Sequence, residues 1–472
     1  MYFGLLAILS ICIFYFLNPK YRITFLTILS CCFIATYSYY LLLYVFGFSI
    51  INYYIGLRMP ESKFRKSLFR TGIIFNILQL VVLKYASFTI NPLLQILDVN
   101  LNLSRLSQII IPVGISFFTL QGLGYLINIH MTWEKPEKNF IHFFLYIIFV
   151  PKFLSGPIER SNHFLPQLKT SQQFNTTNVI EGLRMALLGV FKKVAIANQL
   201  APLISGAYAG IDSAEGRSLW LVFLVQALYL YFDFAGYTDI ALGLAKTLGI
   251  DLVPNFNRPF LAENVSNFWK RFHMSLSSWF NDYIFRQTSF RYRRWGITSS
   301  VVAIFVTWTL FGIWHGAGWN FMLLGVLQAL AIIYEFFTKR WRARIFAKFN
   351  EKFKVWFGRI MTYLFYCVSL VFFFSPDLPS VIRFFSKLFT EGGFVIERVK
   401  PEVFYLVFTF MIFFLILEII NNDLSRLYHR IEIFWNSQKI HFRVSRWIFY
   451  FFLITSIIIL SSKVQNFIYF QF

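Results

Sequence analysis

Apolar runs long enough to cross a lipid bilayer recur from one end of this 472-residue chain to the other. No other feature limits its possible folds as strongly. A lipid interior offers no partner to backbone N–H and C=O groups, so a crossing segment must pair them within itself, as a helix, or close into a barrel. The runs cover approximately 1–17, 23–37, 40–57, 70–88, 108–130, 140–155, 179–205, 217–247, 297–313, 319–337, 357–375, 402–421 and 444–462. Most have the length of a helical span rather than of a barrel strand. Several are short or interrupted by Gly or Pro. The expectation is an all-α, multi-pass transmembrane protein of about 11 crossings, with re-entrant or interfacial helices around a central cavity. No period of 20–50 residues repeats, which excludes a solenoid. One membrane domain over 1–472 is the simplest organisation.

Composition agrees with that class. Only 14% of residues are charged, where a soluble chain would carry roughly a quarter. The first run, Met1 to Leu17, lacks a basic start and a small-residue cleavage site, so it reads as a retained span. The net charge of +22 comes from basic residues clustered between apolar runs. Attraction to anionic lipid headgroups explains it, and no nucleic-acid module is visible. Cys12, Cys31, Cys32 and Cys367 all lie in apolar runs without metal-ligand spacing. They read as packing residues, with no metal and no disulfide framework implied.

The clusters also orient the chain. Lys20 with Arg22, Arg58 to Arg70, Arg286 to Arg294 and Lys339 to Arg359 should face the cytoplasm. Between the last two clusters the chain must cross an even number of times, which the runs 297–313 and 319–337 satisfy. The break between them is Phe311-Gly312-Ile313-Trp314-His315-Gly316-Ala317-Gly318-Trp319-Asn320. His315 therefore approaches the outer side, or a cavity reached from it. It is the only Asp, Glu, Lys, Arg or His between Arg294 and Glu335. An ionisable group at membrane depth is costly and marks a functional path, and histidine is suited to proton transfer near neutral pH. On the residues alone, a structural histidine bonded to a backbone carbonyl weighs equally.

Residues 249–296 are too charged to span. From about Asn264 to Phe285 the pattern becomes helical, with Phe268, Trp269, Phe272, Leu276, Trp279, Phe280 and Tyr283 on one line. This predicts an amphipathic helix at the cytoplasmic membrane boundary. His273 falls at the border of its two faces. Asp282 and Arg286 are spaced to pair. Lys270 and Arg271 suit either lipid headgroups or the phosphates of a cytosolic donor. Asp233 and Asp239 point to different faces of their segment and read as buried anchors. Glu159 and Arg160 read as an ion pair or a turn contact.

The stretches Asn267-Phe268-Trp269-Lys270-Arg271-Phe272-His273-Met274-Ser275-Leu276-Ser277 and Trp314-His315-Gly316 together resemble the membrane-bound O-acyltransferase superfamily. More narrowly, they resemble its bacterial branch of alginate O-acetyltransferases and teichoic-acid D-alanyltransferases. Supporting stretches follow the expected order: Pro112-Val113-Gly114-Ile115-Ser116-Phe117, Ser155-Gly156-Pro157-Ile158-Glu159-Arg160 and Tyr231-Phe232-Asp233-Phe234-Ala235-Gly236-Tyr237-Thr238-Asp239-Ile240-Ala241. Asn255-Phe256-Asn257-Arg258-Pro259-Phe260 and the terminal Phe467-Ile468-Tyr469-Phe470-Gln471-Phe472 also fit. Two positions depart: Asn281 stands where the family often has Arg, and Gln287-Thr288 where many members have Pro-Leu.

The resemblance implies that His315 is the catalytic histidine acting on an acceptor hydroxyl, and that His273 is a second signature residue that orients the thioester or meets His315. It implies a bacterial inner-membrane enzyme moving an acetyl group from a cytosolic thioester, acetyl-CoA, with no permanently bound cofactor. The acceptor would be an extracytoplasmic polysaccharide hydroxyl or a partner acetyltransferase. D-alanyl transfer from a carrier protein to teichoic acid is the alternative. A glycolipid transporter is a further one, but it would need a polar path and energy coupling that the sequence lacks.

Overall fold

The computed structural model describes residues 2–85, 114–214, 216–390, 401–423, 435 and 439–461. Pro112-Val113, residues 391–400 and 436–438, and the terminal Phe467–Phe472 lie outside them. The described chain is helical, as its composition requires. It opens with α1 (Tyr2–Phe16), α2 (Pro19–Tyr37), α3 (Tyr39–Arg58) and α4 (Arg65–Leu83). Local signals set these boundaries: Asn18 caps the first turn of α2, Pro19 occupies its first position, and Ser38 accepts from Leu41 N to start α3.

The middle of the chain holds α5 (Ile115–His130), α6 (Phe140–Ile148), α7 (Val150–Phe153), α8 (Ser161–Leu168) and α9 (Thr176–Phe191). A π-helical segment (Lys192–Ala197) joins α9 to α10 (Asn198–Ala209), which precedes the long α11 (Gly216–Thr247). That π segment turns two adjacent lysines onto α11. Lys192 pairs with Asp239 at 2.7 Å, and Lys193 pairs with Asp233. The aspartates are therefore ion-paired anchors.

Three short helices follow: α12 (Val265–Trp269), α13 (Met274–Phe280) and, after a second π segment (Asn281–Phe285), α14 (Arg286–Arg291). The chain then runs through α15 (Ile297–His315), α16 (Trp319–Phe346), α17 (Glu351–Phe374), α18 (Leu378–Lys387), α19 (Pro401–Asp423) and α20 (Ile440–Leu460). Among the described residues seven helices are long and apolar enough to cross a membrane: α3, α4, α11, α15, α16, α17 and α20. Of these α11 is mostly buried within the protein, whereas α20 turns most of its surface outward. The chain is a multi-pass, all-α membrane protein.

Contacts at opposite helix ends fix the relative directions. Arg65, at the start of α4, donates to the carbonyls of Ile129 (3.2 Å) and His130 (2.5 Å) at the end of α5. At the other end of the same helices, Lys84 reaches Ser116 at the start of α5 (3.2 Å) and the last carbonyls of α15. The basic clusters lie at the first end. That is the end the positive-inside rule expects to face the cytoplasm, and His315 lies at the opposite one.

The helix expected over 264–285 is not continuous. It breaks between Trp269 and Met274, where the loop 255–257 pairs with it: Asn257 N donates to Arg271 O and Met274 N to Asn255 O, both at 2.9 Å. Nor does its apolar face lie on lipid. Phe268, Trp269, Phe272, Leu276, Trp279, Phe280 and Tyr283 are all buried in the protein core. Hydrophobic periodicity reports an apolar face but not what covers it, and here α5, α11, α15 and α17 do. Two smaller expectations also change. Arg160 pairs with Asp282 (3.2 Å) rather than with Glu159, while the Asp282–Arg286 pair forms at 3.4 Å. Glu159 accepts from Val253 N at 2.5 Å and meets His163 Nδ1 at 2.9 Å. Cys12 and Cys32 are exposed on the helix surface, and only Cys367 is fully buried.

Candidate active site

The backbone break puts His273 in place. The residue adopts a left-handed conformation (φ 47°, ψ 51°) as it enters α13. Such a conformation costs a side chain about 1–2 kcal/mol and persists only where the surroundings dictate it. The surroundings here are the paired loop described above and Ser275, whose hydroxyl donates to Asn255 Oδ1 at 2.6 Å and accepts from Ile158 N at 3.0 Å. Three stretches that the sequence singled out, around Ile158, Asn255 and Ser275, thus meet at one knot. The result is a histidine with no exposed surface, far from the amphipathic border where the helical wheel put it.

His315 arrives from the opposite direction as the last residue of α15. Two features hold it there. The first is the crossing of α15 and α16 at Gly312 and Gly325. A Cβ on Gly325 would lie 2.2 Å from Trp308 O, and one on Gly312 would lie 2.3 Å from Phe321 O. Only glycine permits that approach. The second is a clamp on the end of the helix. Lys84 Nζ donates to Trp314 O (2.8 Å) and His315 O (3.3 Å), and Tyr85 Oη donates to Ile313 O (2.8 Å). Ile313 O also accepts from Gly316 N at 3.2 Å, whereas Trp314 O and His315 O are among the last carbonyls that a helix leaves without internal partners, and a cation there also suits the helix dipole.

Both imidazoles line one cavity of about 20 Å³, with Leu230, Trp269, Gln328, Tyr366, Ser369 and Phe373 among the other walls. Aromatic rings set their angles. Phe234 meets His273 edge-on at 4.6 Å, Phe311 and Phe373 flank His315 at 4.8 and 5.6 Å, and Trp314 lies against both histidines. The space admits about one water-sized group. No carboxylate or ammonium is among its lining residues.

Trp269 and Phe311 also wall a second, larger cleft of about 570 Å³. Lys270, Ser277, Ser278, Asn281 and Arg286 supply its polar rim, and Ile304, Thr307 and Trp308 its wall toward α15. Trp269 is held between the two spaces by its indole N–H, which donates to Gln328 Oε1 at 3.0 Å; Gln328 in turn donates to Ser369 Oγ at 2.7 Å. A ligand in the cleft therefore lies one side chain away from both histidines.

Of the residues singled out from sequence, His273 and His315 come together and Lys270 joins the cleft beside them. Arg271 does not. Its guanidinium turns to Asn267 Oδ1 at 3.3 Å, and its carbonyl is part of the backbone pairing. The sequence reading missed Lys84, Tyr85, Gln328 and Ser369. Lys84 carried a usable signal, being a lysine inside the apolar run 70–88, and such residues within spans are seldom incidental. Gln328 and Ser369 carried none, since a single uncharged polar residue in a span is common.

Comparison with known proteins matches residues 136–375 to the family model described as MBOAT, the membrane-bound O-acyltransferase family. The match runs from the loop before α6 to the end of α17 and includes both histidines. A probable alginate O-acetylase of Pseudomonas aeruginosa is 28% identical over 82% of this chain and 74% of its own length. A peptidoglycan O-acetyltransferase of Helicobacter pylori is 26% identical over 82% of this chain and 77% of its own. A teichoic acid D-alanyltransferase of Bacillus subtilis is 28% identical over 55% of this chain and 68% of its own. The chain belongs to the membrane-bound O-acyltransferase family and is an O-acyltransferase.

Proposed function

We propose that this O-acyltransferase takes an acetyl group from acetyl-CoA on the cytoplasmic side. It passes the group to a hydroxyl of an extracytoplasmic polysaccharide, directly or through a partner acetyltransferase. The observation that carries the reading is the single apolar cavity shared by His273 and His315, set between a cytoplasmic cleft and the outer end of α15. Lys270 and Arg286 at the cleft rim offer charge to the donor's phosphates, and the thioester reaches inward past Trp269.

In this mechanism the acceptor hydroxyl arrives from the outer side and His315 takes its proton as the oxygen attacks the thioester carbonyl. The C–S bond then breaks, the thiolate leaves toward the cleft, and the proton is returned to it. His273 bonds to the thioester oxygen and orients the carbonyl for attack. General-base assistance contributes roughly 10²–10⁴-fold, with positioning and hydrogen bonds to the developing oxyanion adding the remainder. The site draws on α4, α11, α12, α13, α15, α16 and α17, which supports reading the chain as one domain.

The relatives divide between acetyl and D-alanyl transfer. The space of about 20 Å³ must widen to admit either group, and its size and uncharged lining favour acetyl, the smaller and neutral one. A D-alanyl group carries an ammonium, and burying it without a carboxylate would cost several kcal/mol. The test offers the purified enzyme radiolabelled acetyl-CoA and, separately, a D-alanylated carrier protein. Acetyl turnover that depends on His315 supports the reading. Turnover only from the aminoacylated carrier overturns it in favour of D-alanyl transfer.

A further inference from the structure

Away from the acyl site, two cavities abut at the cytoplasmic end of α1 and α2. One, of about 470 Å³, lies among the N-termini of α2 and α6 and the end of α8. Lys20, Arg22, His142 and Lys169 line it, and no carboxylate is among its lining residues. The other, of about 420 Å³, is an apolar groove between α1 and α9, lined by Ile8, Ile11, Phe16, Phe174, Val179 and Leu183. The two are separated only by a thin wall. Arg22 donates to the carbonyls of Gln172, Leu17 (3.2 Å) and Tyr15 (3.2 Å), and the Tyr15 ring meets Phe174 edge-on at 5.0 Å. Tyr15 and Phe174 belong to the groove, and Arg22 and Gln172 to the polar cavity.

From these juxtaposed cavities we infer a binding site for one anionic phospholipid of the cytoplasmic leaflet, its phosphodiester headgroup among Lys20, Arg22 and Lys169 and an acyl chain in the α1–α9 groove. The geometry has the right polarity. Phe16 and Phe174 mark the membrane boundary. The groove runs from there to Ile8, two helical turns or about 12 Å into the apolar layer. Both rings are largely exposed, so the groove opens to the bilayer.

Charge decides which lipid is held. An acyl chain gains little by exchanging one apolar surface for another, so the headgroup must supply selectivity. The Arg22 guanidinium is held by backbone carbonyls rather than by a carboxylate, and so keeps its charge for a ligand. Lys20 is exposed at the rim. Lys169 is partly offset by Glu137 at 2.8 Å. His142, at the start of α6, adds a hydrogen-bonding ring to the same lining. Each basic residue near an anionic headgroup is worth about a factor of five, and two effective charges predict a preference of at least about ten-fold over a zwitterionic lipid.

The test is native mass spectrometry of the purified full chain in neutral detergent. Phosphatidylglycerol competes there with phosphatidylcholine of the same chains, and variants are first checked for monodispersity. Wild-type protein should retain phosphatidylglycerol with that preference. Lys20→Gln should reduce it by about five-fold, and Leu183→Trp should lower retention of both lipids by filling the groove. Water-soluble glycerol 3-phosphate should not displace the lipid. A wild-type preference below two-fold would overturn the site, as would retention indifferent to both variants. Displacement by glycerol 3-phosphate would overturn the lipid assignment in favour of a soluble phosphate.

Discussion

Replacing Gly325 with alanine tests how tightly the α15–α16 crossing sets the position of His315. The added methyl would sit 2.2 Å from Trp308 O, 3.0 Å from Thr309 Cα and 3.1 Å from Gly312 Cα. All three are backbone atoms, so no rotamer change relieves the overlap and the helices must separate by about 1 Å to reach ordinary contact. Overpacking of this kind costs roughly 1–3 kcal/mol of stability, which leaves most of the protein folded. The catalytic consequence is larger. His315 lies one turn beyond Gly312 on the displaced helix, and a misplacement of about 1 Å typically costs on the order of 10²-fold in rate. That corresponds to about 2.7 kcal/mol of lost transition-state stabilisation. The assay is the rate of thioester turnover per folded molecule, with Gly47→Ala as control because a methyl there meets nothing within 4 Å. Gly325→Ala should lower kcat by about 10²-fold while KM for the donor changes little, and Gly47→Ala should be silent. A well-folded Gly325→Ala enzyme with unchanged kcat would show that the close crossing does not position the histidine.

Three further outcomes follow from the same geometry. Lys84→Met removes charge-assisted hydrogen bonds worth about 1.5–3 kcal/mol from the end of α15; kcat should fall about 10- to 100-fold with donor KM unchanged, and Lys84→Arg should recover part of the loss. Asp233→Asn leaves Lys193 without its carboxylate beneath α11, and thermal unfolding should report a loss of about 3 kcal/mol. The double change Asp233→Asn with Lys193→Met should restore much of it. His163 is held above the ordinary histidine range by its bond to Glu159, which outweighs the opposing effect of burial. A raised folded-state value means that the stabilisation is complete below the unfolded value of about 6.5 and fades as pH rises through the folded one. The gap in melting temperature between wild type and His163→Gln should therefore be widest near pH 6 and close by pH 9.

Long apolar runs made the helical, membrane-spanning class legible, because lipid leaves helices little alternative. The break at Lys270–His273 was not legible. It depends on pairing with residues 255–257, a contact that no local pattern encodes. The same pairing moved His273 from the rim of a helical wheel to full burial. Arg160 illustrates a related limit: beside Glu159 it read as part of an ion pair or a turn contact, yet the fold brings Asp282 within 3.2 Å. Lys84 is a different case: its position in an apolar run was a signal that went unread, and only the packed helices reveal that its partners are the carbonyls of Trp314 and His315.

The central claim is that His315 performs the proton transfer in acetyl transfer from a cytosolic thioester. Its most direct test is the single substitution His315→Ala, assayed with labelled acetyl-CoA in sealed vesicles that hold the acceptor polysaccharide on the outer face. Transfer should fall by at least about 10²-fold, with the protein folded and donor binding at the cleft retained. Transfer at the wild-type rate by that variant would contradict the account.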